Sequence, residues 1–476
     1  MDLLQSIKNP IERDYFAGLL SKKNAKAQKL SIHTETNPSG VYPTAIAPKE
    51  LVDELPWCHY EDIKEKYSVE GKLDASLWLR KMHGGIGSSI KRDDYLKKFG
   101  RSSVGAKGTD LYLETEKGPI SIAEAQLVQA SKKVSSFQEV IFQDILNQDV
   151  EELFETIWNK VKPEGVTRFK SLIQSHVPTL DSEGELTRER QAPAGHGLFG
   201  YEILNTIFDE TLRPKTKNLV CCIGNGEDLS STPDRAVVNW MIKEEVPICM
   251  VTTTKTKNDM KGGQISLWDK GNDGVFLTII EKAQAEEADQ LELFSEIGLR
   301  DGDAGAFFNT NLVLLNIDVL VKKLSHLNKD EVLKASLPDL ILNKKEQGGK
   351  QFTQLEGAMG SVFLNLDTYW RENFKTPLIH IMNVSKVNRT RFFSPIKSAF
   401  DFFMQYHSDR FTFNQDTFHL VNNYPGKLPR VEIPSDYKDV STVLEDFQGA
   451  KVGELKSLVL EKRMNFSNQN LSGHIR

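Results

Sequence analysis

The chain has 476 residues, enough for two or three domains around a large core. Its net charge of −6 argues against a general nucleic-acid-binding protein, which is usually basic. No uncharged apolar stretch reaches the roughly 18 residues of a membrane-spanning helix. The amino terminus carries charges throughout, unlike a secretory signal, and the four cysteines form no Cys-x-x-Cys zinc motif. We therefore expect a cytoplasmic protein that binds neither nucleic acid nor membranes.

Three regions follow one another along the chain. Residues 1–75 are charged and are predicted to be mostly helical, with a proline-containing interruption. Residues 76–404 alternate short apolar runs with longer helical patterns, which predicts an α/β domain with a largely parallel sheet covered on both faces. Residues 405–476 are more polar and rich in predicted strands. Ligands of parallel sheets bind in the loops after the strands, so those loops are the candidates for a functional site.

A glycine-rich stretch, "HGGIGSS" at residues 83–89, follows a short apolar run. It is neither G-x-G-x-x-G nor a P-loop, because Ser89 replaces the third glycine and no Gly-Lys-Ser/Thr closes it. Glycines at such a place allow a phosphate or a base to approach the backbone, but chain reversal alone would also explain them. The other loops must decide between these interpretations.

Eight further blocks follow this stretch, and they occupy loops after predicted strands. They are "QSHVP" (174–178), "APAGHGLF" (192–199), "IGNGEDLSS" (223–231), "VTTTKTKNDMKGGQI" (251–265), "TIIEKAQ" (278–284), "FFNTNLVLLNI" (307–317), "QLEGAMGS" (354–361) and "NRTRFFSPIKSAFDFF" (388–403).

In order and spacing, the nine blocks resemble the eukaryotic-type UTP–glucose-1-phosphate uridylyltransferases, or UDP-glucose pyrophosphorylases. The motifs of that family are G-G-L-G-T-x-M-G, Q-S-x-Y-P, P-P-G-H-G, N-S-D-N-L-G, K-G-G-T, E-I-A-Q, F-N-T-N-N, Q-L-E-T-A-x-G and R-x-R-F-x-P-V-K-T-x-S-D-L. The resemblance implies a Rossmann-like nucleotidyltransferase core with a mostly parallel mixed sheet. It also implies an enzyme that joins UTP and a sugar-1-phosphate, glucose-1-phosphate first, into a UDP-sugar and pyrophosphate.

The resemblance assigns roles to individual residues. Nucleotide binding is expected of Gly84, Gly85, Gly87, Gln174, Gly195, His196 and Gly197. Sugar binding is expected of Lys261, Gly262, Gly263, Glu281, Asn309 and Asn311. Lys397 is expected to act catalytically on phosphate oxygens, as a compact cation beside Arg389 and Arg391. Without the resemblance, a turn histidine, strand-end caps and a surface lysine would be the ordinary interpretations.

Two blocks depart from the family. The metal-binding aspartate of N-S-D-N is replaced by Glu227, and Asp228 takes the place of the following asparagine. A hard oxygen ligand is retained, so Mg²⁺ remains the expected cofactor, with either carboxylate as its ligand.

The second departure affects the phosphate-binding lysine that the family carries in G-P-K soon after its glycine loop. Here an inserted segment, residues 90–106, intervenes, and Asp110 stands at the lysine position. One of the basic residues that precede it could restore the charge, or all could be exposed: Lys91, Arg92, Lys97, Lys98, Arg101 and Lys107.

The family ends in a left-handed parallel β-helix, of which residues 405–476 resemble only the beginning, so the oligomeric state is not predicted.

Two alternative functions remain beside the uridylyltransferase. One is a pyrophosphorylase for another sugar, such as N-acetylhexosamine-1-phosphate, although those relatives usually have N-G-G at Gly195-His196-Gly197. The other is a non-catalytic sugar-nucleotide-binding protein, supported by the departures at Asp110 and Glu227 alone.

Overall fold

The computed structural model describes residues 3–24, 30–85, 87, 89–256, 259, 262–299, 307–347, 349–424 and 428–476. Its α-helices are α1 (Pro10–Asn24), α2 (Lys49–Asp53), α3 (Tyr60–Tyr67), α4 (Asp93–Lys97), α5 (Lys107–Asp110), α6 (Ile122–Lys133), α7 (Glu151–Val161), α8 (Gly197–Phe208), α9 (Arg235–Lys243), α10 (Lys282–Glu287), α11 (Leu291–Glu296), α12 (Ile317–Leu324), α13 (Lys329–Ala335), α14 (Met359–Phe374), α15 (Arg389–Phe392), α16 (Ala399–Tyr406) and α17 (Val440–Asp446). Short 3-10 helices cover Leu3–Ser6, Gln148–Val150, Glu210–Leu212, Gly271–Asp273 and Ser435–Lys438.

The strands are β1 (Tyr42–Pro43), β2 (Trp57–His59), β3 (Leu73–His83), β4 (Tyr112–Leu113), β5 (Ile120–Ser121), β6 (Phe137–Asn147), β7 (Val166–Arg168), β8 (Leu172–Gln174), β9 (His176–Leu180), β10 (Leu186–Pro193), β11 (Leu219–Asn225), β12 (Ile248–Thr254), β13 (Gln264–Asp269), β14 (Val275–Ile280), β15 (Phe307–Asn316), β16 (Leu340–Gln347), β17 (Lys350–Gly357), β18 (Ile379–Val384), β19 (Phe411–Asn414), β20 (His419–Asn422), β21 (Arg430–Glu432), β22 (Leu455–Val459) and β23 (Gly473–Ile475).

The central sheet has the strand order β2-β18-β12-β15-β11-β3-β6-β7, with β8 also pairing with β6. All of these neighbours pair in parallel except β15, which runs antiparallel to both β12 and β11. The strands with continuous apolar sequences, such as β11 and β12, are buried along most of their length, as a sheet covered on both faces requires. The predicted α/β core with a mostly parallel mixed sheet is confirmed.

The carboxyl ends of the parallel strands place the blocks of the sequence at one edge of this sheet. β3 ends at His83, β8 at Gln174, β11 at Asn225 and β18 at Val384. The antiparallel β15 begins at that same edge, with Phe307. A smaller antiparallel sheet, β10-β9-β17-β16, carries the residues that lead into Gly195 and α14.

The amino-terminal region contributes strands as well as helices. β2 pairs in parallel with β18 at one side of the central sheet, and β1 pairs with β13. Strands of two or three residues are too short to show an alternating pattern, so the sequence does not predict them. The division of the chain after residues 75 and 404 stays a prediction. Within the described ranges, no helix combines the length and apolarity that crossing a membrane requires.

The carboxyl-terminal region consists of the β19-β20 hairpin, α17 and a parallel sheet of order β21-β22-β23. Its apolar side chains share a buried cluster with the inserted segment and with α16: Ile90 and Tyr95 lie in the same cluster as Phe400 and Phe447. We call this the carboxyl-terminal core. The inserted segment also joins the region through its backbone, since Lys91 N–H donates to the Lys438 carbonyl at 2.8 Å.

Candidate active site

Three predicted nucleotide blocks meet at the end of β3. The Gln174 side chain is buried, and its amide N–H donates to the Gly195 carbonyl at 3.0 Å. Its Oε1 lies so close to Gly84 that a Cβ there would come within 2.8 Å. A Cβ on Gly85 would meet nothing nearer than 3.9 Å. The site therefore requires glycine at 84 for packing, whereas Gly85 leaves an open backbone face for a ligand.

His196 and Gly197 lie at the start of α8, against the start of α14. The ring Nδ1 of His196 accepts the backbone N–H of Met359 at 3.0 Å, and burial lowers the pKa of the imidazole. A Cβ on Gly197 would lie 2.5 Å from the Gly357 carbonyl and from the Tyr15 hydroxyl. His196 therefore joins two blocks as a neutral acceptor, and Gly197 permits close contact between α8, β17 and α1.

The predicted sugar residues form a second group, between β13 and β15. The Asn309 N–H donates to the Gly263 carbonyl at 3.0 Å. A Cβ on Gly263 would approach the Glu281 side chain at 3.3–3.4 Å, and a Cβ on Gly262 would lie 2.7 Å from the Phe308 ring. Glu281 is also the N-cap residue of α10, and burial raises its pKa. Lys261 lies outside the described residues.

Asn311 is placed differently from the other sugar candidates. It adopts a left-handed backbone conformation with φ of 62°. Its side-chain amide donates to Asn225 Oδ1 at 3.1 Å, and its own N–H donates to Asn309 Oδ1 at 3.1 Å. Asn311 therefore links the sugar group to the end of β11, where the acidic block begins.

The acidic pair differs in environment. Asp228 is buried, and its two carboxylate oxygens accept the backbone N–H groups of Ser230 at 2.8 Å and Ser394 at 3.0 Å. Burial raises its pKa to about 6. Glu227 is half-buried and has no hydrogen bond or ion pair with any residue that the structure describes.

A divalent cation is compatible with this donor set. No group of three His, Cys, Asp or Glu side chains suited to a metal occurs within the described part of the chain. Mg²⁺, however, is commonly held by one or two carboxylates together with waters and substrate phosphates. The unpaired Glu227 beside the fixed Asp228 meets that requirement.

Lys397 lies beside a buried ion pair. The Arg389 guanidinium donates to both oxygens of Asp259, at 2.8 and 2.9 Å, and the Lys397 ammonium is 3.7 Å from Asp259 Oδ1. About a third of the Lys397 side chain is exposed, at 37%, and burial of the remainder lowers its pKa. Ser394, in the same block, binds Asp228. The Lys397 block and the acidic block are thus joined directly.

Asp110, which replaces the family's lysine, is fully buried in ion pairs. Its Oδ2 lies 3.0 Å from Arg92 Nε, and its Oδ1 lies 2.7 Å from a terminal nitrogen of Arg101. Oδ2 also accepts the Gly105 N–H at 2.8 Å. Asp110 therefore anchors the inserted segment.

Three residues of the site were not singled out in the sequence. Lys81 on β3 is buried, with its pKa lowered by burial, and its ammonium donates to the Ser231 carbonyl at 2.6 Å. Charged residues inside the apolar run "LWLRKMH" are the signal that could have identified it. Glu12 and Tyr15 of α1, which reach the nucleotide group, carry no such signal.

Known proteins resemble this chain in sequence. The sequence model of the family described as UTP–glucose-1-phosphate uridylyltransferase matches residues 147–471. The uridylyltransferase of Musa acuminata is 24% identical over 411 residues, covering 83% of this chain and 76% of its own length. That of Saccharomyces cerevisiae is 22% identical, covering 80% of this chain and 69% of its own.

Solved structures resemble the fold along nearly the whole chain. A UDP-glucose phosphorylase from Trypanosoma brucei matches with a TM-score of 0.68 at 18% identity, covering 99% of this chain and 92% of its own. The UDP-glucose pyrophosphorylase of Leishmania major matches with a TM-score of 0.65 at 19% identity, covering 99% and 93%. With its blocks gathered at one sheet edge and the family's sequence model matching about two thirds of its length, this chain belongs to the UTP–glucose-1-phosphate uridylyltransferase family.

Proposed function

We propose that this protein transfers the uridylyl group of UTP to a sugar-1-phosphate, glucose-1-phosphate first, releasing pyrophosphate. The observation that carries the proposal is the convergence of the nucleotide, sugar, acidic and Lys397 groups at one edge of the central sheet. A phosphate oxygen of the sugar attacks the α-phosphorus of UTP, and the bond to pyrophosphate breaks. Such a reaction needs alignment and neutralised charge more than covalent help from the protein.

The residues divide this work. The open backbone face at Gly85 and the amide of Gln174 receive the nucleotide, since an amide can both donate to and accept from a pyrimidine edge. Gly263, Glu281 and Asn309 hold the sugar hydroxyls. Lys397 stabilises the charge of the phosphates, held in place by Asp259.

The carboxylates of Glu227 and Asp228 would hold a magnesium ion. When bound, such an ion neutralises charge on the phosphates. The Lys81 ammonium donates to the Ser231 carbonyl and so stabilises the loop that carries Glu227 and Asp228.

Pyrophosphate release tests the proposed function. The full chain is incubated with UTP and a panel of sugar-1-phosphates that includes glucose, galactose and N-acetylglucosamine, with and without Mg²⁺. We expect release with glucose-1-phosphate that depends on the metal. A preference for the N-acetylhexosamine would favour the other pyrophosphorylase. No release with any sugar, combined with normal binding of UDP-glucose, would favour a non-catalytic binding protein.

The metal assignment is tested separately by Glu227→Gln and Asp228→Asn. Each variant should raise the Mg²⁺ concentration needed for half-maximal rate, since each removes a negative ligand.

The buried ion pairs of Asp110 weaken one of the two arguments for a non-catalytic protein, because they give that residue a structural role that the sequence does not reveal.

A further inference from the structure

A basic side chain just after the inserted segment reaches the glycine loop. Lys107 begins α5, and its stem lies across Gly87: a Cβ on Gly87 would come within 2.6 Å of Lys107 Cγ and 2.8 Å of its Cε. The Lys107 ammonium donates to the Ile396 carbonyl at 2.8 Å. Because Ile396 directly precedes Lys397, Lys107 lies between the two blocks expected to contact phosphate.

The other basic residues of this part of the chain are engaged elsewhere or exposed. Arg92 and Arg101 both bind the buried Asp110. Lys97 pairs at the surface with Asp94 at 2.7 Å. The remaining two are exposed, namely Lys91 and Lys98. Lys107 alone among the six reaches the glycine loop without a carboxylate partner in the described part of the chain.

The surrounding ion pairs fix the position of Lys107. Besides binding Asp110, the Arg92 guanidinium donates to the carbonyls of Gly87 at 2.9 Å, Ile90 at 2.8 Å and Gly105 at 3.1 Å. These bonds tie the end of the glycine loop to the residues just before α5. An ammonium has three donors, and Lys107 uses one of them on Ile396. Two donors therefore remain for oxygens of a ligand.

We propose that Lys107 supplies the phosphate-binding cation that the family carries at the position of Asp110. In this chain, Asp110 fixes the segment, and the lysine that binds phosphate stands one helical turn earlier. The inference rests on the proposed function, since it assigns a contact of the same nucleotide site. The ligand group is the β- and γ-phosphates of a nucleoside triphosphate or the pyrophosphate product.

The affinities of the full chain for UTP and for uridine test the proposal. Lys107→Met, which keeps the length of the side chain, should raise the Kd for UTP about 10- to 100-fold, the range expected for one charge-assisted hydrogen bond. The Kd for uridine should change less than about threefold, because uridine has no phosphate. The exposed Lys98, within the inserted segment, gives the matched control Lys98→Met, which should leave both affinities unchanged.

Two outcomes would overturn the proposal. Unchanged UTP affinity in Lys107→Met would show that the ammonium contacts no phosphate. Equal weakening of UTP and uridine would show that Lys107 only packs against Gly87. A wild-type chain that binds UTP but forms no UDP-sugar would contradict the proposed function instead, and the Lys107 comparison could still be read from binding.

A second variant separates Lys107 from the family position. Asp110→Lys in the Lys107→Met background restores the family's residue but places a third cation beside Arg92 and Arg101. We expect a lower Tm and no recovery of UTP affinity. Recovery of UTP affinity would show that a lysine at position 110 can supply the same phosphate contact, in agreement with the loss in Lys107→Met.

Discussion

Lys397 differs from an ordinary surface lysine in the groups that surround its ammonium. Its ammonium faces Asp259, which Arg389 already neutralises, and lies 5.5 Å from the centre of the Phe308 ring and 5.4 Å from that of Phe393. Arg389 and Lys397 share the Asp259 carboxylate, and a second carboxylate, Asp401, accepts the Lys397 backbone N–H at 3.1 Å. The Lys397 ammonium is a compact cation of the kind that binds phosphate oxygens.

Lys397→Ala should therefore reduce turnover far more than it reduces stability. Losing one such contact to the reacting phosphates is expected to raise the barrier by about 2–4 kcal/mol, or about 30- to 1000-fold in kcat. The exposed Lys386, in the loop before α15, provides the control variant Lys386→Ala. Steady-state kinetics of both variants, with Tm as the measure of folding, make the comparison. Equal kcat values for the two variants would mean that Lys397 takes no part in the reaction.

Asp144 on β6 gives a pH dependence away from the site. The carboxylate is buried and accepts the indole N–H of Trp158 at 2.5 Å, yet burial raises its pKa to about 6. An acid with a raised pKa in the folded state binds its proton more tightly there than in the unfolded chain. Its contribution to stability therefore falls as the pH rises from about 4 to about 6.

Asp144→Asn removes this dependence because the amide still accepts from Trp158 and never ionises. Relative to the wild type, the free energy of unfolding of the variant should rise by about 2–3 kcal/mol between about pH 4 and pH 7, and level off above pH 6. Urea unfolding at several pH values measures this difference in the free energy of unfolding, with Asp416→Asn, at an exposed position, as the control. A difference that does not change with pH would contradict the raised pKa.

At the scale of elements, α1 supports the nucleotide group from behind. Glu12 is buried, with its pKa raised by burial, and its Oε1 accepts the Ser175 N–H at 3.0 Å, next to Gln174. Tyr15, one turn later, contacts Gly197 and Gly357. An amino-terminal helix far from the blocks in sequence thus contacts three of them.

Glu12→Ala should weaken UTP binding through this support. Removing the acceptor leaves the partly buried Ser175 N–H unsatisfied, at a cost of about 1 kcal/mol in stability. The loop that carries Gln174 then loosens, so KM for UTP should rise while kcat at saturation changes little. Glu12→Gln keeps an acceptor oxygen and should recover most of the loss, and the exposed Asp14→Ala should have no effect. An unchanged KM in Glu12→Ala would limit α1 to a role in folding.

The sequence predicts the elements that have both a pattern and a motif. The strand that ends at Asn225 is a continuous apolar run followed by a polar loop, and both features are local. The support by Glu12 depends on contacts 163 residues apart, which no local pattern encodes. The structural role of Asp110 is hidden for the same reason. The sequence shows only that the family's lysine is replaced, because no local pattern indicates that Arg92, 18 residues earlier, folds back onto Asp110.

At the scale of the whole molecule, the carboxyl-terminal core joins the last region to the glycine loop. Phe447 is fully buried in it and packs against the rings of Phe400, Phe403, Tyr437 and Phe466. The inserted segment contributes Ile90 and Tyr95 to the same core. Shared burial of this kind should make the two regions unfold together rather than separately.

Phe447→Ala tests this coupling. Deleting the buried ring should cost about 3–5 kcal/mol. All six tryptophans lie between residues 57 and 370, so tryptophan fluorescence reports only on the catalytic part of the chain, while far-UV circular dichroism reports on all of it. If the regions are coupled, Phe447→Ala shifts both urea midpoints equally, and the half-exposed Val421→Ala shifts neither. A tryptophan transition that stays at its wild-type midpoint would mean that the carboxyl-terminal region unfolds alone, and that the glycine loop does not depend on it.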